Sequence, residues 1–284
     1  MTGNSAVFEF GQVPFSERFL FHYTSLHGAL AILASSVFRF SSFKNTNDPR
    51  ENKTWDFGFQ QLPPIGDPPA PSNDDMLRIV TELGAILRES VQLACFTQDE
   101  EGVPDDAQFL RGFARARNWD QYAEKHRGAC LVFDRVKFEH ATQSTVMALD
   151  ARAKMHCGPV KYMNMQSTMF PDGEMLCINT GELRDKGLSG IASSWIKDHW
   201  ELLYFRKNTD WASEMEYRVL IPNCGIPIQV PLQSSLLAIV LGADFPAASA
   251  EAISDFVKAS GLPDIKIAKM QWRNGAPGAA LAWS

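Results

Sequence analysis

The spacing of apolar residues along the chain predicts short strands mixed with helices. Runs that are apolar throughout or at alternate positions predict strands at residues 18–24, 37–41, 91–97, 128–134, 157–163, 215–221, 235–242 and 265–272. Apolar residues at helical spacing predict helices at 26–35, 75–89, 105–126, 182–205 and 247–260. Because the two kinds of element do not alternate strictly, their order favours an α+β fold over a doubly wound sheet.

One stretch interrupts this pattern without suggesting a second domain. Residues 62–75 are rich in proline, and we interpret them as an extended excursion on the surface. No internal repeat with a period of about 20 to 50 residues is present. We therefore expect a single domain over residues 1–284, with its core at about residues 18–272.

The composition narrows the class of protein. The 284 residues are 45% hydrophobic and 21% charged, as in ordinary globular proteins. The formal charge of −6 removes the bulk electrostatic attraction that most duplex-binding proteins use. No apolar run reaches the roughly 18 residues of a membrane span, and the first residues lack the pattern of a secretory signal. Five scattered cysteines without a C-x-x-C motif argue against a disulfide framework, so we expect a cytoplasmic protein.

Common catalytic signatures are absent from the sequence. It contains no G-x-x-x-x-G-K-[ST] phosphate loop, no G-x-G-x-x-G, no H-E-x-x-H and no G-x-S-x-G. His199 and Glu201 are a weak hint of metal binding, and we interpret them as ordinary side chains on a helix. We predict no metal site.

The first candidate constellation is His22-Tyr23-Thr24, at the end of a predicted strand and before a predicted helix. Ser25 is a suitable N-cap for that helix, whose N-terminus would offer backbone N–H groups to an anionic ligand. His22 could bond a ribose hydroxyl, and Tyr23 could stack on a planar ring. The alternative is that both rings simply pack the strand.

The second constellation is Asn47-Asp48-Pro49, with Glu51 two residues further on. Asn, Asp and Pro favour a turn, because the Asx side chains bond nearby backbone and proline restricts φ. A structural turn is therefore one interpretation of this motif. The other is that it shapes one wall of a ligand cleft.

The third constellation is Glu214, Glu216 and Arg218. Side chains two positions apart on a strand face the same side, so the two carboxylates would lie close together and the pKa of at least one would rise. Arg218 would continue this face as their counter-ion. Such a pair can stabilise developing positive charge and orient a nucleophile. The alternative is an ordinary solvated strand face.

A stripe of aromatic residues lies within the helix predicted at 105–126. Trp119, Tyr122 and His126 recur at helical spacing and would share one face. We interpret this stripe as part of the core.

The order of the motifs resembles that of the bacterial domain-of-unknown-function family DUF2971. The resemblance extends from about residue 21 to residue 242. It rests on HYTS, FRFSS, NDP-x-E, ACFT, W-x-x-Y-A-x-x-H-x-G and E-x-E-Y-R, in that order.

A more distant resemblance is to the ADP-ribosyltransferase fold, where a strand ending in His precedes a helix and a late strand carries Glu. It implies a split, mostly antiparallel mixed β-sheet flanked by helices, with NAD in an open cleft. It also implies that His22 holds the adenosine-side ribose and that Tyr23 or Tyr217 lies near the nicotinamide. Ser41 or Ser42, on the second strand, would support the cleft.

The same resemblance implies how the acids act. Glu216 would stabilise the positive charge that develops as nicotinamide leaves, and Glu214 would orient the acceptor. We expect His22 and Glu216 to line one pocket on adjacent strands. The implied catalytic residues are His22, Glu214 and Glu216, and the implied cofactor-binding residues are His22, Tyr23, Thr24, Ser41, Ser42, Asn47, Tyr217 and Arg218.

The function implied is that of an NAD-dependent transferase. It would cleave the nicotinamide–ribose bond and transfer ADP-ribose to a protein or nucleic acid, as a toxin or phage-defence effector would. NAD is then a substrate, and neither a metal nor a membrane is involved. The alternatives are an NAD glycohydrolase, a non-catalytic nucleotide-binding or interaction module, and, more weakly, a metal-dependent nuclease. The acceptor and the oligomeric state stay open.

Overall fold

The computed structural model of the protein describes residues 18–53, 55–60, 71–100, 102, 110–164, 176–222, 225–262 and 265–281. Residues 62–70, most of the predicted surface excursion, lie outside this set. The end of that stretch is not extended as predicted, because Ser72 caps a helix that begins at Asn73. Within the described ranges, no helix is long and apolar enough to cross a membrane.

The described residues form the following elements. The strands are β1 (Phe19–Thr24), β2 (Val37–Arg39), β3 (Ser41–Ser42), β4 (Gly58–Phe59), β5 (Val91–Thr97), β6 (Ala129–Asp134), β7 (His156–Pro159), β8 (Lys161–Met163), β9 (Cys177–Ile178), β10 (Arg206–Asn208), β11 (Glu216–Pro222), β12 (Gln229–Pro231), β13 (Leu236–Leu241), β14 (Lys266–Arg273) and β15 (Ala276–Leu281). The α-helices are α1 (Leu26–Ser35), α2 (Pro49–Asn52), α3 (Asn73–Glu89), α4 (Ala116–Tyr122), α5 (Arg135–Leu149), α6 (Thr180–Tyr204) and α7 (Ala247–Ala259).

The largest sheet formed by the described residues has nine strands. Eight of them follow the order β15-β14-β13-β6-β1-β5-β11-β7, and β3 pairs with β5 beside this path. Every described pair in this sheet is antiparallel except β13 with β14. The predicted α+β class with a mostly antiparallel mixed sheet is therefore confirmed. The single domain and the closer likeness to the ADP-ribosyltransferase fold stay predictions.

The sheet has a local gap along one edge of β5. On that edge, Phe21 of β1 pairs with Thr97 of β5. Further along the same edge, β3 pairs with Leu93 and Gln92 of β5. Between these two contacts, residues 94–96 have no neighbouring strand on this side in the described ladder. A space therefore opens between β1 and β3, next to the centre of the sheet.

Helices cover both faces of the sheet. On one face, α1, α5 and α7 contribute Leu33, Phe138 and Ile253 to a buried cluster that includes Val219 of β11. On the other face, α3 and α6 pack over β5 and β11, where Leu220 is buried. The central strands are thus buried on both sides, as the near-continuous apolar run at 91–97 predicts.

The aromatic helix is shorter than the sequence predicts. Within the described part of 105–126, the helix covers only Ala116–Tyr122. Glu124, Lys125 and His126 follow with φ angles of 49°, 53° and 67°, in the left-handed region. Because a right-handed helix cannot continue through such residues, His126 does not belong to the helical stripe.

Helix α5 is an element that the apolar pattern does not predict. Asp134 starts it by accepting the backbone N–H of Lys137 at 3.1 Å. Its buried residues are only Phe138, Thr142 and Val146. One of these three is polar, so the helical periodicity of this segment is weak.

Candidate functional site

A cavity of about 400 Å³ opens at the gap beside β5. Its volume is within the range of small-molecule sites, about 300–1,000 Å³. The predicted site residues that line it are His22, Tyr23, Ser41, Ser42, Asn47, Glu214, Glu216 and Arg218. Thr24 and Tyr217 lie outside the lining. The fold thus brings distant parts of the chain to one cavity.

Glu216 is a buried carboxylate whose two oxygens are both paired. Arg218 donates from Nε to Oε1 at 2.7 Å and from Nη2 to Oε2 at 3.0 Å. The Nζ atom of Lys207 lies 2.8 Å from Oε2. Burial by itself would raise the pKa of Glu216, but Arg218 and Lys207 outweigh it and lower the pKa to about 2. Glu216 therefore stays ionised at neutral pH.

Glu214 approaches Glu216 by a different route from the one the sequence predicts. It is not on the strand but ends a 3-10 helix at Thr209–Glu214, and Met215 follows with a φ of 47°. The strand alternation that would place both acids on one face is therefore the wrong reason for their proximity. Lys207 joins them instead, because its Nζ lies 2.8 Å from an oxygen of each acid.

Two tyrosine hydroxyls complete this acidic group. The hydroxyl of Tyr122 donates to Oε1 of Glu214, and that of Tyr162 accepts the backbone N–H of Glu216 at 2.8 Å. Burial lowers the pKa of Lys207, but Glu216 and the other nearby carboxylates outweigh it and raise the pKa above its usual value. The group is consequently a fixed arrangement of charges, not the solvated strand face of the alternative interpretation.

Arg218 links the acids to the Asn-Asp-Pro turn. It is 0% exposed, and its Nη2 donates to Oε1 of Glu51 at 2.6 Å. Asp48 starts α2 by accepting the backbone N–H of Arg50 at 2.9 Å, which orients Glu51 towards Arg218. The motif is therefore a structural turn, and its Asn47 also lines the cavity.

His22 contributes a neutral imidazole. Its Nδ1 lies 3.0 Å from the carbonyl oxygen of Cys95. Because a carbonyl oxygen only accepts, Nδ1 carries the proton and Nε2 is the acceptor of the neutral ring. Burial lowers the pKa of His22, and the bond to Cys95 offsets this only partly. The ring packs edge-on against Phe38 and Phe96, with centroids 4.8 and 5.8 Å away.

The strands of His22 and Glu216 are not adjacent, contrary to the prediction, because β5 lies between β1 and β11. Phe21 and Glu216 are both aligned with Thr97. Since facing residues share a side of the sheet, Phe21 and Glu216 lie on one face and His22 belongs to the other. Both reach the same cavity because it opens at the gap beside residues 94–96.

The other two aromatic candidates, Tyr23 and Tyr217, form hydrogen bonds with other groups of the protein. The hydroxyl of Tyr23 donates to the carbonyl of Gly112 at 2.5 Å, and its ring meets that of Trp119 edge-on at 5.0 Å. The hydroxyl of Tyr217 donates to Oε1 of Glu139 at 2.5 Å. Tyr217 therefore packs against α5, on the face of β11 opposite to Glu216.

Side chains of the protein itself also bind the N–H groups at the N-terminus of α1. Ser25 caps it as predicted, accepting the backbone N–H of Gly28 at 2.9 Å. Oε2 of Glu124 accepts the backbone N–H of Leu26 at 3.1 Å. A carboxylate of the protein thus takes the position that the sequence suggests for an anionic ligand, next to Thr24.

Several residues of the site are missed by the sequence analysis, among them Lys207, Asn118 and Tyr122. Lys207 and Asn118 belong to no recognised motif, and the sequence pattern places Tyr122 in the core although its hydroxyl donates to Glu214. Tyr122 follows Asn118 by four positions, so helical spacing is a signal that links these two. No such signal points to Lys207, because it lies on the short strand β10, whose pairing cannot be predicted from the sequence.

A metal centre has no ligand set in the described ranges. They contain no cluster of three or more His, Cys, Asp or Glu side chains suited to a metal ion. His199 and Glu201 are both exposed, and Glu201 pairs with Lys161 at 3.0 Å.

Residues 118–219 match the model of the family described as "Protein of unknown function (DUF2971)". The resemblance to this family is therefore confirmed over those residues, which contain the aromatic motif, Glu214, Glu216 and Arg218. Searches of curated proteins and of solved structures found no match.

Proposed function

We propose that this protein, whose residues 118–219 match the model of the DUF2971 family, is an NAD-dependent ADP-ribosyltransferase-like enzyme. In the proposed reaction, the bond between nicotinamide and ribose breaks, and its electron pair leaves with nicotinamide. A nucleophile of a protein or nucleic acid forms the new bond to the ribose carbon and releases its proton to water. We propose a cytoplasmic toxin or phage-defence effector as the setting of this reaction.

The observation that carries the proposal is the pair of buried carboxylates on the cavity wall. Loss of nicotinamide leaves positive charge on the ribose, and a preorganised negative charge in a water-poor site stabilises it. Glu216, with its pKa lowered to about 2, keeps that charge at any physiological pH. It cannot act as a general base, so the proposed role of Glu216 is electrostatic.

His22 supports binding of the sugar part. With Nδ1 bonded to Cys95, its Nε2 can accept a hydrogen bond from a ribose hydroxyl. Ser41 and Ser42, on the short strand across the gap, add hydroxyl groups to the same cavity. These groups suit a nucleotide sugar better than an apolar ligand.

One observation favours a second candidate, the non-catalytic nucleotide-binding module. Both oxygens of Glu216 are already engaged by Arg218 and Lys207. A carboxylate held in this way can have a purely structural role. In that case the cavity would bind a nucleotide without breaking it.

Nicotinamide release from NAD separates the candidates. We expect the wild-type protein to release nicotinamide and Glu216→Gln to lose at least about a hundredfold in rate, as when a main electrostatic group is removed. The matched control is Glu201→Gln, an exposed carboxylate that should leave the rate unchanged. Release with label from NAD appearing on a macromolecule identifies a transferase, and release without it identifies a glycohydrolase.

A folding defect must be distinguished from a catalytic one, because Glu216 is part of a buried ion group. Circular dichroism and thermal unfolding report whether Glu216→Gln is folded. His22→Leu provides a second variant outside that group, and we expect it to weaken NAD binding through the lost acceptor at Nε2. Binding of NAD by the wild type without nicotinamide release would support the module and overturn the transferase.

A further inference from the structure

The cavity contains a buried acceptor that has no partner in the protein. Asn118 is 1% exposed, and its Nδ2 donates to Oγ1 of Thr97 at 2.7 Å. This bond orients the side chain, yet the buried Oδ1 of Asn118 accepts no hydrogen bond within the described residues. Leaving a buried amide oxygen unpaired is costly, and Asn118 lines the cavity, so a donor placed there would satisfy it.

The unpaired oxygen belongs to the same part of the cavity as the acids. Thr97, to which Asn118 is bonded, is aligned directly with Glu216 across β5 and β11. On α4, Tyr122 follows Asn118 by one turn and donates to Glu214. A ligand group that meets Asn118 therefore lies beside the two carboxylates.

We propose that Asn118 is the residue that recognises a primary carboxamide on the ligand, which makes the site select NAD over its acid form, nicotinic acid adenine dinucleotide. This inference rests on the proposed function. The amide N–H₂ of nicotinamide would donate to Oδ1 of Asn118. A carboxylate in the same place has no hydrogen to donate, and it would meet Oδ1 with Glu214 and Glu216 nearby, so its binding is opposed by like charge.

A second buried oxygen is consistent with a polar ligand group in this cavity. Oγ1 of Thr46 is buried, lines the same cavity and has no partner among the described residues. A threonine hydroxyl can both donate and accept, so it can complement the carbonyl side of an amide. The choice between amide and acid, however, depends on Asn118, because an amide oxygen can only accept.

Calorimetric titration with the two dinucleotides tests the inference. We expect the wild type to bind NAD at least about tenfold more tightly than the acid form, a difference of about 1.4 kcal/mol. Asn118→Leu should weaken this preference, because only the repulsion from Glu214 and Glu216 then disfavours the acid form, whereas Asn118→Asp, which keeps an acceptor oxygen, should retain it. Asn73→Leu makes the same chemical change at an exposed position and is the matched control.

The outcomes separate the inference from the proposed function. Failure of the folded wild type to bind either dinucleotide overturns the proposed function. Equal binding of both forms, or a preference for the acid, overturns only the role of Asn118, and so does an unchanged preference in Asn118→Leu. Because Asn118→Leu could fold poorly, its thermal unfolding is measured beside that of Asn118→Asp, and the preference is compared only between folded variants.

Discussion

Nη2 of Arg218 donates to Oε1 of Glu51 at 2.6 Å, although the two residues are 167 positions apart. Both side chains are buried, with exposed fractions of 0% for Arg218 and 4% for Glu51. The pair joins the turn after Asn47 to the start of β11. Arg218, which holds Glu216, thus also anchors the turn whose Asn47 lines the cavity.

Removal of the guanidinium should destabilise the fold strongly. Arg218→Met leaves Glu51 and Glu216 buried with less compensation, and breaking a buried pair in this way costs about 3–5 kcal/mol. Urea denaturation at neutral pH measures this change in the free energy of unfolding. Lys161→Met is the control, because it removes only an exposed pair with Glu201, worth about 0–1 kcal/mol. Equal losses in the two variants would contradict the structural role of Arg218.

Replacement of the buried lysine should alter how stability depends on pH. In the wild type, the pKa of Glu216 in the folded state is below the usual 4.5. Glu216 therefore stabilises the folded state above pH 4.5, and this stabilisation is lost as the pH falls towards about 2. In Lys207→Met, Glu216 loses one of the two cations that lower its pKa, so the folded state favours the ionised form of Glu216 less than it does in the wild type. The stability deficit of this variant should therefore be smaller at about pH 4 than at about pH 7.

Thermal unfolding of both proteins between these pH values measures that difference. Lys161→Met serves again as control, since its lost partner, Glu201, is exposed and its deficit should change little with pH. A deficit of Lys207→Met that is constant, or that grows on acidification, would show that Lys207 does not separate the two acids.

His22 should titrate below an ordinary histidine. Burial lowers its folded pKa from 6.5, so the folded state disfavours the charged ring. Its contribution to stability is present above 6.5 and is lost as the pH falls through the folded pKa. Imidazole NMR should show a pKa below 6.5 and a proton on Nδ1 in the neutral form. His22→Phe should remove this part of the pH dependence, and a proton found on Nε2 would contradict the assigned bond to Cys95.

The apolar pattern locates the central strands because they are buried on both faces. It also predicts correctly that Arg218 lies beside Glu216, since a spacing of two on a strand is a local property. Lys207 and Glu51 could not be predicted in the same way. Their contacts depend on how a short strand and a turn approach β11, and no local periodicity encodes that approach.

Backbone conformation explains the main error in the elements. A helical pattern predicts continuation of α4 to His126, but Glu124, Lys125 and His126 adopt left-handed φ angles. The carboxylate of Glu124 bonds Leu26 at the start of α1, a tertiary contact that holds this turn. A single sequence does not reveal such a contact, so the helical propensity of the segment gives the wrong answer.

The glycine that ends the W-x-x-Y-A-x-x-H-x-G motif should tolerate no side chain. A Cβ on Gly128 would lie 2.2 Å from the backbone oxygen of Thr24 and 3.0 Å from Cα of Ala123. Because backbone atoms cannot rotate away, Gly128→Ala should lower the free energy of unfolding by about 1–3 kcal/mol or more. Gly158→Ala, in β7, is the matched control, since a Cβ there meets nothing within 4 Å and should stabilise the strand by about 0.5–1 kcal/mol. Urea denaturation measures both changes, and a Gly128→Ala protein as stable as the wild type would show that β1 does not approach β6 this closely.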